Sequence, residues 1–187
     1  MTRQLTPVFV VAAALLSIPA MGQDSDHKHV DISTSSGSLH LGDDADAKRI
    51  GLPLYPGAHL KSDEESKNKV NLSLLTEAFG MKFVVANYDS DDAPGKVIDY
   101  YRDKLKRYGK VLECHSDKHG GDLDIDSSDK DSKSKELKCG ENSGPVVELK
   151  AGTEDNQHVV AIEPRDAGKG SSFAMVYVYT RGKRGEI

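Results

Sequence analysis

The sequence predicts an α+β fold: a mainly antiparallel sheet with one long helix packed on one face, plus an N-terminal hairpin. Three observations lead there. Val70–Leu75, Met81–Tyr88, His158–Ile162 and Ser172–Tyr179 are strand-like, and in the last Phe173, Met175, Tyr177 and Tyr179 fall on one face and Ala174, Val176 and Val178 on the other, both apolar as in a central strand. One stretch, Ala93–Tyr108, repeats differently: Val97, Tyr101, Leu105 and Tyr108 are spaced 4, 4 and 3, which draws one stripe along a helix. The last strands follow one another across the turns Gly152–Asn156 and Asp166–Gly170, so the helix is segregated to one side of a meander.

Taken in chain order, the first segment reads as a secretory leader. Arg3 is followed by an uncharged run from Leu5 to Ala20, and Ala20 and Gly22 give a small-x-small cleavage site. The expected domain plan is a signal peptide over 1–22, a polar segment and hairpin over 23–50, and an α+β domain over 51–187. After leader removal the chain is expected to be exported, periplasmic or extracellular, and not membrane-spanning, because no later apolar run reaches bilayer length.

Val30–Thr34 and Ser38–Leu41 alternate across Ser35-Ser-Gly37 and predict a hairpin. Asp43–Gly51 predicts a short helical turn, with Asp at its start and Gly51 at its end. The prolines of Leu52-Pro-Leu-Tyr-Pro-Gly57 fix an extended path that then turns. Val70–Leu75 and Met81–Tyr88 form a second hairpin across Glu77–Gly80, or Leu72–Phe79 forms a short helix instead. Asp89–Asp92 offers helix N-caps, Pro94 lies in the first turn, and Gly109 stops the helix. Val111–His115, Glu136–Cys139 and Pro145–Lys150 read as strands before the final pair.

Cys114 and Cys139 are the two cysteines of the chain. An even count in an exported protein predicts a disulfide, brought about by two adjacent antiparallel strands. Closing that loop stabilises the fold by about 3–4 kcal/mol in the chain-entropy model. The alternative is a reactive or metal-binding pair, with His115 and His119 as further ligands.

Three motifs resemble a known group. Ile50-Gly-Leu-Pro-Leu-Tyr-Pro-Gly-Ala58, Tyr88-Asp-Ser-Asp-Asp92 and Val97-Ile-Asp-Tyr-Tyr-Arg-Asp-Lys-Leu105 are similar to the GLPxYPGA turn and YxSxD…VxxYYRxxL step of uncharacterised exported bacterial proteins found in Acidobacteria. Val30–Gly37 also resembles that group's N-terminal part. The resemblance spans roughly residues 30–115 and implies export and an α+β fold. It implies no activity. The acidic insertion between the cysteines departs from the group.

That insertion holds the metal candidates. Asp122, Asp124, Asp126 and Ser128 alternate as oxygen donors, the hard ligands that calcium takes. Between Asp117 and Asp131 there are six acidic and two basic side chains. Measured against an EF-hand loop, Ser127 replaces the turn glycine and Lys133 the bidentate glutamate, so the competing reading is a solvated loop. His27 and His29, among Asp24, Asp26 and Asp31, form a second group of the kind that suits zinc, copper or nickel. Gly168–Ser172 could cradle an anion, but it joins two strands rather than opening a helix.

The net charge of −5 leaves no basic excess to neutralise phosphates, so nucleic acid is not expected as a partner. The sequence has no G-x-S-x-G, H-E-x-x-H or P-loop motif. The expected function is a non-catalytic binding or interaction module with a partner in the cell envelope or extracellular space. No cofactor is assigned, with calcium as the exception to test. The alternatives are a divalent-cation-responsive protein using the acidic 117–136 loop, and a small hydrolase using His59 or His158 as base.

Overall fold

The computed structural model describes residues 30–61, 68–117, 136–140, 142–165 and 169–182. Its centre is one nine-stranded sheet, in which all the paired strands run antiparallel. The strands are β1 (Val30–Thr34), β2 (Gly37–Gly42), β3 (His59–Leu60), β4 (Lys69–Thr76), β5 (Gly80–Ser90), β6 (Leu112–Ser116), β7 (Val146–Thr153), β8 (Asn156–Pro164) and β9 (Ser171–Arg181). Their order is β1-β2-β4-β5-β9-β8-β7-β6, with the two-residue β3 pairing β5 off that path.

The expected α+β class is corrected. Strands hold 52% and helix only 15%, and no long helix covers a face. The expected helix over Ala93–Tyr108 is the twelve-residue α2 (Pro94–Leu105), three turns or about 18 Å long. A single 3-10 turn, Lys106–Tyr108, follows it. Asp89 and Ser90 remain in β5, and the cap position falls on Ala93, which makes no side-chain capping bond. The hairpin is corrected too. It is the edge of the sheet and not an appendage, because β2 pairs β4 from Gly37↔Thr76 to Gly42↔Asn71.

The short helix α1 (Ala47–Ile50) has the ends its sequence asks for. The Asp46 carboxylate accepts from the Arg49 N–H at 2.7 Å, and Gly51 closes the helix at φ 85°, a left-handed conformation that favours glycine. Buried Ile50, Leu52, Val97, Tyr101 and Leu105 from α1, α2 and the turn between meet Leu149, Ile162, Phe173 and Met175 of the sheet. Among the strands of the sheet, α2 packs chiefly against β7, β8 and β9.

Two further corrections concern the cysteines. The disulfide Cys114–Cys139 is present, with Cα atoms 5.5 Å apart. It does not join two paired strands. Glu136–Cys139 is not a strand, and the neighbour of β6 is β7, from Leu112↔Lys150 to Ser116↔Val146.

Candidate binding face

Alternation along each strand gives the sheet two faces. The face toward α1 and α2 is the packed core just described. On the opposite face the registers line up apolar residues across strands. One row runs Val30, Leu41, Leu72, Phe83, Val178 through successive pairings of β1, β2, β4, β5 and β9. A second runs Ile32, Leu39, Leu74, Met81.

Exposure changes along the first row. Val178 is 2% exposed, Phe83 and Leu72 are half-buried, Leu41 is 46% exposed and Val30 is 50% exposed. Ile32 ends the second row at 51%. At the β1–β2 end the polar residues Asp31, Ser33, Ser38 and His40 all point to the other, helix-side face. Val30, Ile32 and Leu41 are thus aligned on a single face rather than scattered.

The polar side fixes how this end is aimed. His40 Nδ1 lies 2.6 Å from Asp31 Oδ1, and its Nε2 lies 3.2 Å from Asp44 Oδ1. Asp44 also accepts from Asn71 Nδ2 at 2.9 Å and pairs with Arg49 at 2.6 Å. These bonds tie β1 and β2 to β4 and α1. The Asp31 carboxylate raises the His40 pKa above its usual value, with Asp44 adding to it. Burial works against ionised Asp44, yet hydrogen bonds from Asn71 and His40 and the charge of Arg49 hold its pKa below the ordinary range.

The residues singled out by sequence fall elsewhere. His59 is exposed on β3. His158 on β8 is buried, with Tyr108 stacked on its ring at 3.7 Å and 15°, and Tyr177 at 4.8 Å. Its Nδ1 is buried without a hydrogen-bond partner among the described residues. Burial pushes its pKa down to about 4, so the ring is neutral at pH 7.

Cys114 is engaged in the disulfide, so its thiolate is not a metal ligand. Asp122, Asp124, Asp126, Ser128, His27, His29, His119 and Gly168 lie outside the described residues. Among the described residues no group of three or more His, Cys, Asp or Glu is arranged to hold a metal ion, and no helix is long and apolar enough to cross a membrane.

Sequence reasoning missed one charged pair. Glu148 and Lys150 on β7 meet at 3.0 Å with side chains 2% and 4% exposed. Across the registers Glu148 stands opposite Cys114 and Ala161, and Lys150 opposite Leu112 and Val159. This places them on the face away from α2. The signal was there, as opposite charges two apart in an apolar strand, but the same spacing fits a solvated face.

No family model matches the chain, and no curated protein or solved structure matches it either.

Proposed function

We propose that this chain is an exported, non-catalytic interaction module that docks another protein on the apolar face of its β1–β2–β4 end. One observation carries the reading. Val30, Ile32 and Leu41 are about half exposed and share one face, and Val30 and Leu41 continue a row that ends buried at Val178. Burying such residues against a partner is favourable by about 25 cal/mol per Å² of apolar area. Export is supported by the leader at 1–22 and by the disulfide, since such bonds persist in oxidising compartments. The enclosed His158 supports the non-catalytic side of the reading.

Site-specific cross-linking tests it. A photoreactive residue is placed at position 32, or at Lys96 on α2 as a control, in protein exported with its own leader. Adducts are expected from position 32 and not from 96, and Leu41→Asp should remove them. Equal yields at both positions would reject the docking face.

A further inference from the structure

We infer that the 3-10 turn Lys106–Tyr108 is an acid-released latch: a proton taken up by His158 frees Tyr108 from the imidazole and from the Gly51 carbonyl while the sheet stays folded. The inference goes beyond the docking face and does not depend on it. His158 stands inside a column of rings with a cation at each end. The Arg107 guanidinium lies 5.0 Å from the Tyr108 centroid, and Tyr108 stacks on His158 at 3.7 Å. Tyr177 lies 4.8 Å from His158 on the way to the Lys82 ammonium, which is 5.6 Å from the Tyr177 centroid. His158 and Tyr177 are paired residues of β8 and β9, whereas Tyr108 and Arg107 are carried by a single turn.

That turn is lightly held. It has no buried residue: Lys106 and Arg107 are exposed and Tyr108 is half-buried. The Tyr108 stack is supplemented by one bond, from its hydroxyl to the Gly51 carbonyl at 2.5 Å. Both ends of the latch use glycine. Gly109 leaves the turn at φ 128°, a conformation that favours glycine, and a Cβ there would meet open space, as suits a hinge. At Gly51 a Cβ would stand 2.8 Å from the Tyr108 hydroxyl and 3.4 Å from His158 Nε2, so closure depends on the missing side chain. Opening such a turn costs far less than unpairing β8 from its two neighbours.

The surroundings of the ring set the sign. From the turn it meets Tyr108, with Lys106 and Arg107 alongside; from β9 it meets Tyr177, with Tyr179 two residues on and Lys82 of β5 above. β7 places the uncharged Ala151 opposite it. α1 brings the Ile50 backbone, with exposed Lys48 and with Arg49, which Asp44 and Asp46 engage. Tyrosine faces attract a cation, but both of these already have one over the ring. Burial and the Arg107 charge disfavour the imidazolium, and the Ile50 backbone favours it more weakly than burial opposes it. Release of the turn returns water to the ring, so the proton is bound more tightly in the open form. A ring with pKa 6.5 when released and about 4 when enclosed makes opening about a hundredfold more favourable at pH 4 than at pH 6.5.

Amide exchange of the protein exported with its own leader, corrected for intrinsic rates, tests the latch. The Gly109 N–H, which donates to the Lys106 carbonyl at 3.2 Å, reports the turn, and the amides of Val160 and Met175 report the sheet. From pH 6.5 to 4 the opening constant at Gly109 should rise about a hundredfold, with the midpoint of the His158 ring titration followed by NMR. Gly109 should be at least tenfold less protected than Val160 and Met175 at each pH. His158→Phe should hold the Gly109 change to less than about threefold. Tyr108→Leu should leave the turn open at pH 6.5 with the sheet amides still protected. Gly109 protection that is independent of pH, that equals the protection of the sheet, or that falls equally in His158→Phe would overturn the inference. Should His158→Phe not fold, a Gly109 midpoint that departs from the His158 titration in the wild type would overturn it as well.

Discussion

The backbone N–H of Tyr55 donates to the hydroxyl of Tyr101 across 3.1 Å. The Tyr55 hydroxyl in turn donates to Asp92 at 2.8 Å, and the Tyr100 hydroxyl donates to the Leu54 carbonyl at 3.3 Å. Tyr100 packs edge-on against both Tyr55 and Tyr101, with centroids 5.1 Å apart in each case. The Leu52–Gly57 turn, the Tyr88–Asp92 step and the Val97–Leu105 helix therefore form one packing unit.

Tyr101→Phe tests that unit. The ring still fills its place, but the buried N–H of Tyr55 loses its acceptor. An orphaned buried donor costs about 1–3 kcal/mol. Tyr100→Phe gives up one long bond at an exposed site and should cost less than about 1 kcal/mol. Urea unfolding of both variants measures the difference. Equal losses would mean that Tyr101 does not anchor the turn.

The buried Glu148–Lys150 pair gives a second prediction. Lys150→Met takes the cation 3.0 Å away from the buried Glu148 carboxylate and should be destabilising, by up to about 3–5 kcal/mol. Glu148→Leu with Lys150→Met removes both charges and should recover most of that loss. A double-mutant cycle in denaturant measures the coupling. Additive losses would mean that the two charges do not compensate each other.

How much was legible follows from which signals are local. Most of the strands and their turns could be read because strand-like apolar runs and turn residues sit within each segment, whereas Glu136–Cys139, expected as a strand, is not one and the two-residue β3 carries no such run. The disulfide could be read because only one pairing of two cysteines exists. The dominance of the sheet could not. The pairing of Leu39 and Leu41 with Leu74 and Leu72 joins segments separated in sequence, and nothing in Ser38–Leu41 specifies it. The helix came out short for reasons of detail: pairing with β9 keeps Asp89 and Ser90 in β5, and the last turn tightens at Lys106–Tyr108. The docking face was half legible. Alternation sorted Val30, Ile32 and Leu41 from Asp31 and His40, but could not say which side the helices would cover.

His40 gives a prediction with a definite sign. Its pKa is raised in the folded protein, chiefly by the Asp31 carboxylate. The protonated ring therefore stabilises the fold below its ordinary pKa of about 6.5, and that contribution is lost as pH rises through the folded value. The loss should be local, because the bonds of His40 hold the β1–β2 end. Amide exchange in β1, corrected for intrinsic rate, should accelerate from pH 6.5 upward in the wild type. In His40→Gln it should be fast throughout. Protection in β1 that is independent of pH would show that the imidazolium does not hold this end.

His158 makes the opposite contribution. Burial between Tyr108 and Tyr177 lowers its pKa from 6.5 to about 4, so the folded state holds the ring neutral while the unfolded chain protonates it. Its stabilising effect is complete above pH 6.5 and is lost as pH falls toward 4. At 1.36 kcal/mol for each pKa unit, the loss over that window is about 3 kcal/mol. The aspartates with lowered pKa values, Asp44, Asp92 and Asp103, titrate below this window, so they do not account for a decline within it. His40 makes its gain chiefly above pH 6.5, outside this window, and a His40→Gln background removes the tail that reaches into it. There, unfolding free energy should decline from pH 6.5 to 4, and adding His158→Phe should flatten the curve while keeping an aromatic ring against Tyr108. A slope that survives His158→Phe would place the proton uptake on another group.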